Sequence, residues 1–271
     1  MLHQAAAARK NPARTGFRKN PAPGPFWGRA VAARVDCGMR SNPDTQSLLR
    51  QAQERLHPPL SNPNWLVLRA RRQIFEKWIT LIPGKALRIL DVGGRLQPYR
   101  PLFADRVGQY YAADLAPGPL VNVAASAGQL PFASDVFDVV VCTQVLEYVP
   151  RPQEAVDETR RVLKVGGSLL LSVPSVFPRD SDPEYWRFLP SALRMMLSGF
   201  TQVEVEAEGS SIAGLFRTLN VWAFVFSPPW LRFLLRYTGI PVLNALGYFA
   251  EKAVGSKNDQ FTANFSVWAR K

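Results

Sequence analysis

A chain of 271 residues with 47% hydrophobic and 20% charged side chains has the length and composition of a soluble globular protein with ample core. Its net charge of +12 points toward nucleic acid, but residues 1–40 hold eight Lys/Arg against one acid, Asp36, and so carry +7 of it. The remaining chain is only mildly basic, which argues against nucleic-acid binding by a folded domain. Two distant cysteines, Cys37 and Cys142, exclude a disulfide framework, offer no metal-type spacing and fit a reducing cytoplasm.

Residues 1–41, rich in Pro, Ala and Arg, read as a basic disordered leader without the apolar run of a secretory signal. A single domain is expected over 42–271. Leu68, Ile74, Phe75, Trp78 and Ile82 recur at helical spacing after Asn64, and Pro83-Gly84 stops that helix. Strands and helices then alternate, the pattern of a parallel sheet covered on both faces. Strands are predicted at 87–92, 109–114, 120–124, 137–142, 168–173, 201–206 and 261–269. Helices are predicted at 98–104, 152–163, ended by Gly166-Gly167, and 190–197.

The segment 210–256 departs from this alternation. It is an apolar, aromatic insert whose longest charge-free runs, 218–231 and 237–250, are 14 residues each. Both fall short of the roughly 20 residues that span a bilayer. Such a segment covers the sheet, lids a site, forms a dimer face, or lies on a membrane surface beside Arg217, Arg232 and Arg236.

Three predicted strand ends collect candidate ligand groups: Asp91-Val-Gly93-Gly94, Asp114, and Cys142-Thr143-Gln144. In an open α/β sheet, ligands sit beyond the carboxyl ends of the strands. Glycines directly after a strand let a backbone approach its ligand, or simply make a turn. Asp91 either faces that ligand or caps the turn. A carboxylate at the end of the second strand suits the vicinal hydroxyls of a ribose.

The stretches Ile-Leu-Asp91-Val-Gly93-Gly94, Tyr-Ala-Ala-Asp114-Leu115, Leu130-Pro131-Phe132, Phe137-Asp138-Val-Val, Cys142-Thr143-Gln144-Val-Leu-Glu147-Tyr148 and Arg161-Val-Leu-Lys-Val-Gly166-Gly167 occur in order. Together they resemble the class I S-adenosylmethionine-dependent methyltransferases, over about 87–173. The resemblance implies a Rossmann-like, seven-stranded, mostly parallel sheet with helices on both faces and an antiparallel last strand. It implies S-adenosyl-L-methionine as cofactor, with Asp91, Gly93, Gly94 and Arg95 at its methionine part and Asp114 and Leu115 at its ribose. Ser126 and Ala127 would edge the adenine, and Thr143 and Gln144 would lie beneath the cofactor. Two departures stand out. Arg95 and Gln97 replace later glycines of the family's first loop, and Ser126 stands where many relatives carry an aspartate.

Methyl transfer is an in-line displacement that depends on positioning, and a hydroxyl or amine acceptor also needs a base. Candidates are Glu147, Asp182 and Glu184, with Tyr185 beside them, in or near an aromatic loop that follows a strand at the ligand-bearing edge. The expected function is methyl transfer to a small-molecule, glycan or lipid-linked acceptor by a cytoplasmic enzyme, with peripheral membrane contact through 210–256 as a further expectation. The alternative is a methyltransferase-like scaffold that has lost activity. The sequence sets no oligomeric state.

Overall fold

Along β1 (Leu87–Val92) the apolar side chains divide between two faces, Leu87 and Ile89 to one and Leu90 and Val92 to the other. The same division recurs in β4 (Phe137–Thr143), where Val139 and Val141 oppose Val140 and Cys142. Central strands buried on both sides read as unbroken apolar runs, which is why both were legible. In the computed structural model, which describes residues 43–179, 182–255 and 257–271, these strands belong to one seven-stranded sheet. The leader 1–41 lies outside the described residues.

The other strands are β2 (Val107–Asp114), β3 (Val123–Ala124), β5 (Leu163–Pro174), β6 (Gln202–Ala207) and β7 (Asn264–Arg270). Their order is β3-β2-β1-β4-β5-β7-β6, with β7 antiparallel to both neighbours and the other pairings parallel. The strand order reverses between β1 and β4, so a crevice opens beyond their carboxyl ends.

One face is covered by α1 (Pro43–Leu56) and α2 (Trp65–Leu81), which bury Leu56, Phe75 and Trp78 against Ile89 and Val141. The opposite face is covered by α3 (Pro152–Val162) and α4 (Pro190–Met196), through Ala155, Val156 and Leu193. Three further helices, α5 (Ser211–Phe226), α6 (Pro229–Tyr237) and α7 (Gly239–Val254), fill the interval between β6 and β7; α5 and α7 pack beside α2, and α6 packs on α5 and α7.

Several boundaries differ from the sequence reading. The segment after β1 forms a 3-10 turn at Arg100–Arg106, broken at Ala104 with φ 45°, instead of a helix at 98–104. The strand expected at 120–124 pairs only through Val123 and Ala124. Gly166-Gly167 do not end a helix: α3 stops at Val162, Leu163 already pairs with Phe137, and the glycines lie at the register shift before Ser168. Gly166 takes φ +78° there, a conformation open to glycine at little cost.

Candidate functional site

The carboxyl ends of β2, β1 and β4 lie side by side, with Val92 opposite both Ala113 and Cys142. The two glycine amides after β1 turn back onto β2, Gly93 N–H donating to Ala113 O at 2.7 Å and Gly94 N–H to the same oxygen at 3.2 Å. Neither position accepts a side chain. Gly93 has φ +75°, and a Cβ there would meet Val145 Cγ2 at 2.3 Å. A Cβ on Gly94 would meet Asp91 O at 2.7 Å and Ala112 Cβ at 2.9 Å. Gly93 itself is exposed at the mouth of the crevice.

Asp91 is buried, and its Oδ2 accepts the Tyr110 hydroxyl at 2.8 Å. Burial pushes its carboxyl up to about 7; the Tyr110 hydrogen bond opposes the rise and Asp114 adds to it. Its hydrogen bond with Tyr110 therefore anchors β1 to β2 beneath the loop. Gln97 also takes the left-handed conformation, φ +53°, that a glycine would adopt. Its side chain turns away to donate from Nε2 to Leu120 O at 2.6 Å and to accept from Arg100 at 3.3 Å. Arg95 is exposed and, among the described residues, makes no hydrogen bond or ion pair.

Asp114 ends β2 half-buried, and its Oδ1 accepts the Ala116 N–H at 3.1 Å. One such bond leaves a carboxylate ample capacity for a diol. Leu115 beside it is 72% exposed. Ser126 begins a tight turn in which Gln129 N–H donates to Ser126 O at 3.0 Å, and Ala127 packs against the core. An acid at one strand end, an apolar side chain standing free beside it and glycine-lined backbone at the next strand end together fit a nucleoside cofactor.

Thr143 closes β4 opposite Ser172, and Gln144 follows with φ +54°. Gln144 is pinned by its N–H to Ser172 O at 2.8 Å and by Nε2 to Ser172 Oγ at 3.2 Å. The turn beyond it buries Glu147, whose Oε2 has no hydrogen-bond partner. Burial pushes the Glu147 carboxyl up to about 7; a hydrogen bond from its own backbone, then Arg71, oppose the rise, while Glu184 adds to it. Tyr185 N–H donates to Glu147 O at 2.7 Å, so the aromatic loop is tied down on this turn. Glu184 has a side chain only 2% exposed and pairs with Arg187 at 2.8 Å. Glu147, Glu184 and Tyr185 are thus brought together. Asp182 is not among them: it is exposed, and its carboxylate pairs with Arg179 at 3.8 Å.

The sequence reading missed a polar cavity of about 410 Å³ on the α1–α2 side of this edge. Its walls are Gln51, Glu54 and Arg55 of α1, Asn62 and Asn64 of the connection, Val67, Leu68 and Arg71 of α2, and Gln144, Tyr148, Phe177 and Asn264 at or beyond the strand ends. Behind Arg71 lies a buried network. Arg71 donates to Glu208 Oε1 at 2.8 Å and to the Tyr99 hydroxyl at 3.3 Å. Ser172 and Ser266 donate to the same carboxylate oxygen, and Asn264 Nδ2 donates to Oε2 at 3.1 Å. The Asn264 Oδ1 is buried without a partner. One signal was present in the sequence: Arg71 interrupts the stripe Val67, Ile74, Phe75, Trp78, and an arginine on a buried helix face needs an acid to meet it.

A family model for the methyltransferase domain matches residues 90–171. Over 96 residues the chain is 36% identical to an uncharacterized methyltransferase of Mycobacterium avium (strain 104), covering 31% of this chain and 38% of that one. Over 121 residues it is 32% identical to the ubiquinone/menaquinone biosynthesis C-methyltransferase of Ruegeria sp. (strain TM1040), covering 38% and 48%. The chain spans less than half the length of these curated relatives. Among solved structures it is similar to Haemonchus contortus phosphoethanolamine N-methyltransferase 2 in complex with S-adenosyl-L-methionine, at TM-score 0.45 and 15% identity over 81% of this chain and 60% of that one. It is also similar to the YcgJ protein from Bacillus subtilis, at TM-score 0.44 and 18% identity over 74% and 98%.

Proposed function

Residues 90–171 match a family model for the methyltransferase domain, and from that premise we propose that the chain transfers a methyl group from S-adenosylmethionine to a small polar acceptor. The observation that carries this reading is the shared position of Gln144. It follows directly on the β4 end of the cofactor crevice and also lines the polar cavity under α1 and α2.

In this reading the backbone at Gly93-Gly94 and the carboxylate of Asp114 hold the cofactor, with Leu115, Ser126 and Ala127 along its nucleoside and Thr143 and Gln144 beneath it. The bound cofactor supplies an activated methyl group. The chain's own part is positioning: Gln144 is fixed at backbone and side chain by Ser172, so the wall between crevice and cavity is rigid.

The cavity suits a small acceptor with hydrogen-bonding groups, since Gln51, Asn62, Asn64 and Gln144 line it with amides, while the charge of Arg71 is already met by Glu208. A free small molecule, a glycan or the head of a lipid-linked intermediate each meets that description. Glu147, next in sequence to cavity-lining Tyr148 and poised near neutrality, is the group assigned to take the acceptor's proton. The Tyr185 N–H holds its turn in place.

Calorimetric titration with S-adenosylmethionine and S-adenosylhomocysteine tests the reading. Saturable binding of both is expected, weakened at least about tenfold by Asp114→Ala through loss of hydrogen bonds to a charged acceptor. No binding at millimolar cofactor overturns methyl transfer and leaves a scaffold role.

A further inference from the structure

Helices α5 and α7 are inverted relative to helices that face water. Their buried positions include Arg217, Asn220 and Asn244, joined across the pair by Asn220 Nδ2 donating to Asn244 Oδ1 at 2.9 Å. Their close approaches use glycine: a Cβ on Gly214 would meet Phe261 O at 1.8 Å, and one on Gly247 would meet Phe216 Cβ at 2.8 Å. Large apolar side chains stand on the outside instead, Leu219, Trp222 and Phe226 on α5 and Leu246 and Phe249 on α7. A globular surface helix does the reverse. Small residues and a polar pair inside, with apolar side chains outward, leave an outer face that suits an apolar phase better than water.

Helix α6 adds a second, independent sign. Trp230, Phe233, Leu234 and Tyr237 fall at i, i+3, i+4 and i+7, the spacing that makes one apolar stripe, yet Trp230 and Phe233 are each 71% exposed and α6 buries no residue. Tryptophan and tyrosine on such a stripe have the amphipathic rings that settle at headgroup depth. Between residues 209 and 250 the chain carries Arg217, Arg232 and Arg236 and no acidic residue. Arg217 is buried and stacked on Phe177, whereas Arg236 is exposed in the last turn of α6.

We propose that the outer face of α5, α6 and α7 docks on an anionic phospholipid bilayer, with the apolar stripes in the acyl boundary and the exposed Arg236, with half-buried Arg232, toward the lipid phosphates. Charge decides between lipid and a second copy of the chain. A two-fold interface sets the patch against itself, which leaves Arg232 and Arg236 of both copies in an apolar interface with no acid of 209–250 to meet them. An anionic surface complements them. The mode is interfacial: at 16, 9 and 16 residues none of the three helices reaches the roughly 20 that span the hydrocarbon, and among the described residues no helix is long and apolar enough to cross a membrane.

Co-sedimentation of the full chain with vesicles tests this, using phosphatidylcholine alone and phosphatidylcholine containing phosphatidylglycerol. No cofactor enters the measurement, so the result is independent of methyl transfer. Binding to the anionic vesicles is expected, and the double substitution Trp230→Glu with Phe233→Glu weakens it on the order of a hundredfold, because two large apolar groups leave the boundary. That variant keeps its fold because α6 buries nothing, which its circular dichroism and unfolding midpoint check. Arg236→Gln weakens binding to anionic vesicles and leaves binding to neutral ones unchanged. The double variant and its parent binding alike overturns the proposal, since the leader is common to both. So does a parent that is a dimer in solution and becomes monomeric with the same two substitutions, because a second copy then covers the face.

Discussion

Arg71 Nε and Glu208 Oε1 lie 2.8 Å apart in side chains that are 5% and 0% exposed, joining α2 to the residue that follows β6 across 137 positions of sequence. Burial lowers the tendency of Arg71 to stay charged, yet Glu208 and Tyr99 more than offset this and hold its guanidinium well above the ordinary arginine value. Breaking such a pair by removing one partner strands a buried charge. Glu208→Ala is expected to cost roughly 3–5 kcal/mol. It also leaves the hydroxyls of Ser172 and Ser266 and the amide of Asn264 without their acceptor. Urea unfolding at constant slope measures the loss, and a variant within 1 kcal/mol of the parent, roughly the scale of an exposed pair, contradicts the assignment of this network as structural.

That pair also marks what the sequence withholds. β1 and β4 were legible because a strand buried on both faces must be apolar throughout, and Gly93-Gly94 because no other residue fits the turn they make. The cavity was not, because no local pattern announces it. It forms where α1, α2, the 57–64 connection and the ends of β4, β5 and β7 meet, and α1, the connection and the ends of β4 and β7 each contribute one to three polar side chains that look solvent-facing in sequence. The path of Gln97 was not legible for a similar reason. Spacing set it where the family has glycine, but only its φ and the Leu120 carbonyl reveal that the glycine's backbone is kept and the side chain points elsewhere.

The two loop glycines fail for different reasons, and a third residue separates them. In Gly93→Ala the new methyl collides with the γ-methyl of Val145, a stiff β-branched side chain, and the positive φ adds about 1–2 kcal/mol. In Gly94→Ala it collides with the backbone oxygen of Asp91. Adding Val145→Ala should therefore restore part of the stability lost in Gly93→Ala and none of that lost in Gly94→Ala. Thermal unfolding of these four variants and of Val145→Ala alone reads this coupling, and equal rescue of both rules out the assigned contacts.

Gln97 combines an unfavourable backbone with a useful side chain. Removing the side chain alone, in Gln97→Ala, keeps the left-handed strain and loses the bond to Leu120, at roughly 1 kcal/mol. Gln97→Gly loses the same bond but relieves the strain. Glycine is accordingly expected to be the milder substitution, the reverse of the order found at ordinary positions. Equilibrium unfolding in urea gives the ranking, and alanine proving the more stable of the two shows that the turn does not hold Gln97 in this conformation.

Glu147 supplies a pH dependence with a defined sign. Its carboxyl titrates near 4.5 when exposed and is raised by burial to about 7 in the folded chain. Between those values the folded state holds a proton that the unfolded state has released. Stability from this group is therefore fully present below about 4.5 and is lost as pH rises through about 7, by up to about 3 kcal/mol at about 1.4 kcal/mol per unit. Glu147→Gln stays neutral throughout. Its amide near the unpartnered Oε2 position adds a constant offset, but that offset has no slope with pH. The stability of Glu147→Gln relative to the parent should accordingly climb between pH 5 and pH 7, about the span of the shift, and level off above it. Urea midpoints for the two proteins across that range, with Asp91 intact in both, isolate the contribution. A flat difference curve means that Glu147 is already ionised in the folded protein at pH 5, and its role as the proton acceptor at neutral pH then loses its basis.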